Sequence, residues 1–225
     1  MPASPISEPS QEKTGTEERG ASSPRPAPLT LEERRRLLTL ARRAIEAAVS
    51  DHVIVLPDES TLPERLLQPG ASFVTLTTRS DGELRGCTGS MEATEPLAIN
   101  VCYCAVQTAL YDYRFPPVSA EELPELEIEI SVLTEPRPLE YTSPEELLRI
   151  LDETKPGVLI QRGVHRATFL PQVWERLPDA ATFMAHLCLK AGLPADDYLR
   201  PGLQVFTYQV EKFTESEVLS VAGHP

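Results

Sequence analysis

The stretch LEIEISV, residues 126–132, alternates apolar and polar side chains without interruption. Side chains on a strand point to opposite faces with a period of two. Leu126, Ile128, Ile130 and Val132 therefore share one face, and Glu127, Glu129 and Ser131 share the other. This predicts a half-buried strand whose wet face carries its carboxylates for solubility rather than for chemistry.

Upstream of it, FVTLT (residues 73–77) is rich in β-formers and reads as a second strand. Ser80-Asp81-Gly82 marks a turn, and LRGCTG (residues 84–89) is the return strand. Glycine weakens a strand, so Gly86 and Gly89 around Cys87 predict a bulge or a close backbone approach. A helix is expected from about Thr94 to Tyr111, with Pro96 in its first turn. Pro116 and Pro117 forbid its continuation. Near the start of the folded part, Thr30 and Glu33 form a capping box. It opens a helix to about Val49 with Leu37, Leu38, Ala41, Ala44, Ile45 and Ala48 on one apolar face. HVIVLP (residues 52–57) reads as short and extended, and residues 62–67 as one or two helical turns.

Downstream, Ser143 is expected to cap another helix, with Pro144 at the first position and Glu146 completing a capping box. Residues 158–160 and 167–170 flank Arg162-Gly163 and predict a β-hairpin. Residues 171–176 look helical, and a longer helix is expected over 180–190, stopped at Ala191-Gly192. Residues 203–212 read as one last strand. Strands and helices do not alternate one for one along this order. The fold class is therefore α+β with largely antiparallel sheet, rather than a doubly wound fold.

The whole chain has 225 residues, 41% of them hydrophobic and 24% charged, an ordinary globular composition. Residues 1–28 carry many prolines and serines and almost no large apolar side chains, which predicts a disordered tail. The folded domain is expected over 29–215, followed by a loose end at 216–225. The net charge of −13 argues against nucleic acid and against anionic lipid as partners. Four cysteines without paired spacing suggest neither a disulfide framework nor a zinc ribbon. With no membrane span and no signal peptide apparent, a reducing, cytoplasmic setting fits best.

Several of these segments resemble one family. LRGCTG is similar to the LRGCIG signature of the AMMECR1 domain family, and DYRFPPV (112–118) to its DPRFPPV element. ISVLTEP (130–136), GVLIQRGVHRATFLPQVW (157–174), KAGLP (190–194) and QVEKFTE (209–215) follow in the family's order. The resemblance spans roughly residues 30–215. It departs at Thr88, where the signature has isoleucine, and at Tyr113, where the element has proline. Bacterial and archaeal members are called protein A of the AmmeMemoRadiSam system. The resemblance implies an AMMECR1-like fold of two unequal lobes with a cleft between them. It also implies a Memo-like protein and a radical-SAM protein as partners in a modification pathway. No reaction is firmly assigned to the family.

Cys87 is the sharpest candidate site residue. On a strand Arg85 shares its face, and a nearby guanidinium favours the reactive thiolate. His165 is the best available base for it. Three readings stay open: catalysis by Cys87, Arg85 and His165; ligand binding by Arg85, Gly86, Cys87, Thr88, Gly89, Arg114 and Arg166; and simple packing of a small thiol. Thr88 places a hydroxyl beside the thiol. Arg114 is either half of an Asp112–Arg114 bridge or an anion-binding group. His165 and Arg166, adjacent on a strand, are expected to point to opposite faces. Cys102 and Cys104 lie about 200° apart on a helix and cannot chelate together, so no metal site is predicted. Neither G-x-G-x-x-G nor a P-loop pattern occurs, and no cofactor is expected. Function thus rests between two classes: an enzyme or enzyme partner acting on a small organic or anionic ligand, and a non-catalytic adaptor.

Overall fold

A computed structural model describes residues 27–219 of the chain. Helix α1 (Leu31–Ser50) opens at the expected box. The Thr30 hydroxyl accepts from the Glu33 N–H, and the Glu33 carboxylate accepts from the Thr30 N–H at 2.7 Å. Two N–H groups at the helix start are thereby satisfied. The predicted apolar stripe is buried along its length. The following Val53, Ile54, Val55 and Leu56 are exposed and join no strand.

Strands β1 (Ala71–Thr78) and β2 (Leu84–Gly89) pair antiparallel through a turn in which Gly82 has φ 73°, a left-handed conformation suited to glycine. Helix α2 (Leu97–Tyr111) begins one residue after Pro96, which precedes the helix rather than sitting in its first turn. Strand β3 (Leu126–Leu133) contains the alternating stretch. With β8 (Val210–Thr214) these strands form a sheet in the order β2-β1-β3-β8, antiparallel throughout. Helices α1 and α2 cover one of its faces, burying Val74, Leu76, Ile128 and Ile130. Removing such side chains from water is worth about 1.5–3 kcal/mol each.

The second lobe is built from the intervening chain. It holds β4 (Arg137–Pro138), α3 (Pro144–Thr154), β5 (Gly157–Arg162), β6 (His165–Phe169), α4 (Ala180–Lys190) and β7 (Gln204–Tyr208). Its sheet has the order β4-β7-β5-β6, again antiparallel. Val158 and Ile160 pack beneath α3 and α4 with Trp174 and Phe183, whose rings stack 3.7 Å apart. At the start of α3 the Ser143 hydroxyl accepts from the Glu146 N–H as predicted. The Glu146 carboxylate, however, accepts from the Thr142 N–H and hydroxyl, one residue earlier than the expected box.

One further expectation is corrected. Residues 203–212 do not form one strand. Strand β7 belongs to the second sheet and β8 to the first, with Gln209 between them. Of the end expected to be loose from residue 216, the structure describes the residues through Leu219. Helix α5 (Glu215–Leu219) buries Val218 in the first core, and the rest lies outside the described residues. Glu215 itself is buried and accepts from Arg42 at 2.5 Å, from Arg79 at 2.7 Å and from the Ile128 N–H. Breaking such a buried pair typically costs 3–5 kcal/mol, on the order of a third of a domain's stability. The tail predicted over 1–28 lies outside the described residues except Ala27 and Pro28, whose carbonyls accept from Arg65.

The chain crosses between lobes twice, side by side. Leu133 pairs with Val210 on one side of the crossing, and Arg137 pairs with Thr207 on the other. At the crossing the Thr134 N–H donates to the Gln209 carbonyl, and the Gln209 N–H donates to the Thr134 hydroxyl, both at 2.9 Å. Beside it, the helix-free faces of the two sheets meet in a third apolar cluster of Ala71, Leu133, Leu159 and Tyr208, with Phe73, Met91 and Phe206 packed against it. This contact explains why Ser131 and Leu133 are buried although they lie on the face expected to be wet. Only Glu127 and Glu129 keep partial exposure there, tied to Arg79 and Lys212.

Candidate functional site

Strand β2 is an edge strand, so its outward backbone groups need partners from outside the sheet. The segment after α2 supplies them. The Cys87 N–H donates to Asp112 Oδ2 at 2.9 Å, and the Cys87 carbonyl accepts from Arg114 Nη2 at 3.0 Å. Arg114 also holds the Asp112 carboxylate in a bidentate grip, at 2.9 and 2.6 Å. The Asp112 side chain is 4% exposed and that of Arg114 43%. The guanidinium of Arg114 holds the Asp112 carboxyl well below the usual carboxylate range; burial opposes this, and the Cys87 N–H adds to it. Of the two readings of Arg114, the geometry contains the bridge to Asp112, extended to the backbone of the signature strand.

Arg85 occupies a bulge. Leu76 pairs with Gly86 and Thr77 with Leu84, leaving Arg85 as the extra residue. The bulge interrupts the alternation from which Arg85 and Cys87 were expected to share a face. The Arg85 guanidinium bonds Glu122 at 2.7 and 3.2 Å, and this pairing lowers the Glu122 carboxyl. The guanidinium groups of Arg85 and Arg114 lie 5.9 and 5.6 Å from the centre of the Phe115 ring. The glycines are required by space. A Cβ on Gly86 would lie 2.9 Å from both Cγ2 and the carbonyl oxygen of Thr108 in α2. A Cβ on Gly89 would collide with Phe73 and the Ser72 carbonyl.

Cys87 is half-buried, while Cys102, Cys104 and Cys188 are buried. The hydroxyl beside its sulfur belongs to Thr75, its partner on β1, which donates to Sγ at 3.3 Å. Thr88 does not fill that place. It is the next residue on the strand, its Oγ1 is buried, and that oxygen has no hydrogen-bond partner among the described residues. Thr88 and Gly89 also line a pocket of about 290 Å³ against α2.

His165 and Arg166 sit on β6 in the second lobe. The His165 ring Nδ1 is 2.9 Å from the Ala191 carbonyl, and no hydrogen bond joins it to Cys87. Arg166 reaches across to the loop that follows β2, where its guanidinium is 3.5 Å from Glu92, with both side chains exposed. Among the candidates, then, the structure joins Cys87 to Arg114 and carries Arg166 to the loop beyond the signature strand. The sequence names Asp112 only as the bridge partner of Arg114, and does not point to Thr75, Glu122 or Glu92. The sequence signal for Asp112 is its place two residues before Arg114, and its bond to the Cys87 N–H follows from the edge position of β2.

A pocket of about 570 Å³ in the second lobe, lined by Tyr141, Tyr198, Arg200 and Phe206 among others, includes none of the candidate residues. Among the described residues, no group of three or more His, Cys, Asp or Glu is placed to hold a metal ion. No helix there is long and apolar enough to cross a membrane.

A two-lobed α+β domain with this signature strand defines a class, and comparison with known proteins gives the same one. The AMMECR1 family model matches residues 38–213. The chain is 39% identical over 195 residues to a protein of Methanothermobacter thermautotrophicus, covering 84% of this chain and 97% of that one. It is 37% identical over 191 residues to the protein MK0488 of Methanopyrus kandleri, covering 84% and 91%. The crystal structure of the uncharacterized protein PH0010 from Pyrococcus horikoshii superposes with a TM-score of 0.71 at 35% identity, covering 84% of this chain and 94% of that one. The chain belongs to the AMMECR1 family.

Proposed function

We propose that the domain binds a small organic anion beside the apolar seam where the helix-free sheet faces meet, against the Leu84–Gly89 strand. The observation that carries this reading is the placing of Arg166. Its guanidinium extends from one lobe to the loop after the signature strand of the other, and its only ion pair among the described residues is long and exposed. Such a pair contributes little, about 0–1 kcal/mol, so an incoming carboxylate or phosphate can displace Glu92 at small cost. Arg85 and Arg114 are already neutralised by Glu122 and Asp112 and frame the strand. Cys87 and Thr75 supply the polar wall. The absence of a hydrogen bond between His165 and Cys87 favours non-covalent binding over a cysteine nucleophile. In this reading the ligand is held for a Memo-like and a radical-SAM partner, by analogy with the family.

The test is a titration of ¹⁵N-labelled protein with citrate, phosphate and short dicarboxylates. Saturable amide shifts at Thr75, Cys87, Gly89 and Arg166 are expected, with about tenfold weaker binding in Arg166→Ala, as for loss of a charged hydrogen bond. Shifts confined to other regions overturn the reading.

A second reading, an adaptor, has one observation in its favour: the consecutive exposed side chains of Val53, Ile54, Val55 and Leu56. Exposed apolar runs of this kind mark contact surfaces. Ile54→Asp should abolish co-elution with a purified Memo-like protein, and unchanged co-elution removes the support.

A further inference from the structure

We infer that the pocket between the end of β2 and helix α2 is a separate binding site for a small primary ammonium group. The pocket is about 290 Å³ and opens on the side of β2 where Gly86 packs against α2. Its distinguishing feature is Glu95. The Asn100 side-chain N–H₂ donates to Glu95 Oε1 at 3.2 Å, and the Asn100 carbonyl oxygen accepts from the Ser72 hydroxyl at 2.7 Å. Asn100 is 2% exposed and Ser72 is fully buried. A buried polar relay therefore ends on a half-exposed carboxylate. Among the described residues no lysine, arginine or histidine forms an ion pair with that carboxylate.

Buried polar groups are retained where they are satisfied and where they orient something. Here they orient a negative charge that has no ion-pair partner among the described residues, in the lining of a pocket. The remaining wall suits a cation. Tyr103 and Gln107 lie one helical turn apart on the exposed face of α2. They offer an aromatic ring for a cation–π contact and an amide oxygen as a second acceptor. An ammonium group carries three donors and no acceptor, which matches this set of acceptors. The charge on Glu95 also reaches the buried Cys104 thiol, which is pushed up first by burial and further by that carboxylate.

The experiment is an amide-shift titration of the full chain with butylammonium chloride at constant ionic strength. Saturable shifts at Thr88, Gly89, Ser90 and Gln107 with one dissociation constant are expected. Glu95→Gln keeps an acceptor for Asn100 while removing the charge, and should weaken binding at least about tenfold with an otherwise unchanged spectrum. Tyr103→Leu should weaken it about threefold, the loss of an exposed cation–π contact. Sodium butyrate should leave these amides unmoved. Equal binding by Glu95→Gln, linear non-saturating shifts, or the same shifts with potassium chloride alone would each overturn the inference.

Discussion

Asp112 accepts the backbone N–H of Cys87 at 2.9 Å, across a separation of 25 residues in sequence. The same carboxylate grips Arg114, which returns a hydrogen bond to the Cys87 carbonyl. The pair thus treats the edge of β2 as a neighbouring strand would, accepting from its N–H and donating to its C=O. An edge left bare would invite pairing with other chains.

This carboxylate makes stability depend on acid. Its folded-state pKa lies below the ordinary value of 3.8, so its stabilisation is present above that value and is lost as pH falls through and below it. The urea midpoint of the native protein should fall between pH 5 and pH 2. Asp112→Asn should be less stable at pH 6 by about 1–3 kcal/mol, the cost of losing a charged hydrogen-bond acceptor, and should show a shallower acid dependence. An undiminished acid slope in the variant would place the effect elsewhere.

The four thiols should separate by reactivity. Burial pushes Cys102 up to about 12 and raises Cys104 and Cys188, whereas Cys87 is half-buried. Only thiolate reacts readily with alkylating agents. Brief iodoacetamide treatment of the native protein should label Cys87 alone, and the other three only in denaturant. Mass spectrometry of the peptides reads the order directly. Labelling of Cys102 at the rate of Cys87 would contradict the packing described.

The glycines of the signature strand are predicted to resist substitution on grounds of space. Gly86→Val places branched carbon against Thr108 and should cost about 3 kcal/mol or more, the upper range for overpacking. Gly89→Ala meets backbone as well as the Phe73 ring and should be no milder. Chemical denaturation of both variants checks this. A companion Gly82→Ala, where nothing stands near the missing Cβ but φ is 73°, should cost about 1 kcal/mol by strain alone.

Thr88 should tolerate the loss of its hydroxyl. The buried Oγ1 lacks a hydrogen-bond partner among the described residues, a condition that costs about 1–3 kcal/mol. Thr88→Val keeps the shape and removes the unsatisfied atom, so thermal or urea unfolding should show a gain of about 1 kcal/mol. A loss would mean that the hydroxyl is hydrogen-bonded in solution.

Much of this architecture could be read locally. The caps at Thr30 and Ser143, the alternation over 126–132 and the hairpin about Gly163 each declare themselves within a few residues, because helix starts and strand faces are local properties. The break at Gln209 did not. Both sides of it are β-forming, and only the choice of partner strand, β5 or β3, tells β7 from β8. The bulge at Arg85 is likewise a matter of register with β1. For the site, Cys87, Gly86 and Arg114 were visible as a motif. The acceptor role of Asp112 and the cross-lobe reach of Arg166 depend on contacts between distant segments. Side-chain chemistry alone named His165 as the best available base for Cys87, a couple that the hydrogen bonding does not contain.

The paired crossing at Thr134 and Gln209 makes the second lobe an insertion with adjacent ends. Chain enters it at Arg137 and leaves at Tyr208, while Leu133 and Val210 already face one another on the ladder. A short hairpin turn grafted from Leu133 to Val210 would close the first lobe with its sheet order intact, and the excised 137–208 piece would keep all of its own strands. The modularity has one flaw: separation uncovers the apolar face of Ala71, Leu133, Leu159 and Tyr208 on both pieces. The two halves should therefore behave as cohesive ends, re-associating when mixed, and a split version of this domain is a natural fragment-complementation reporter.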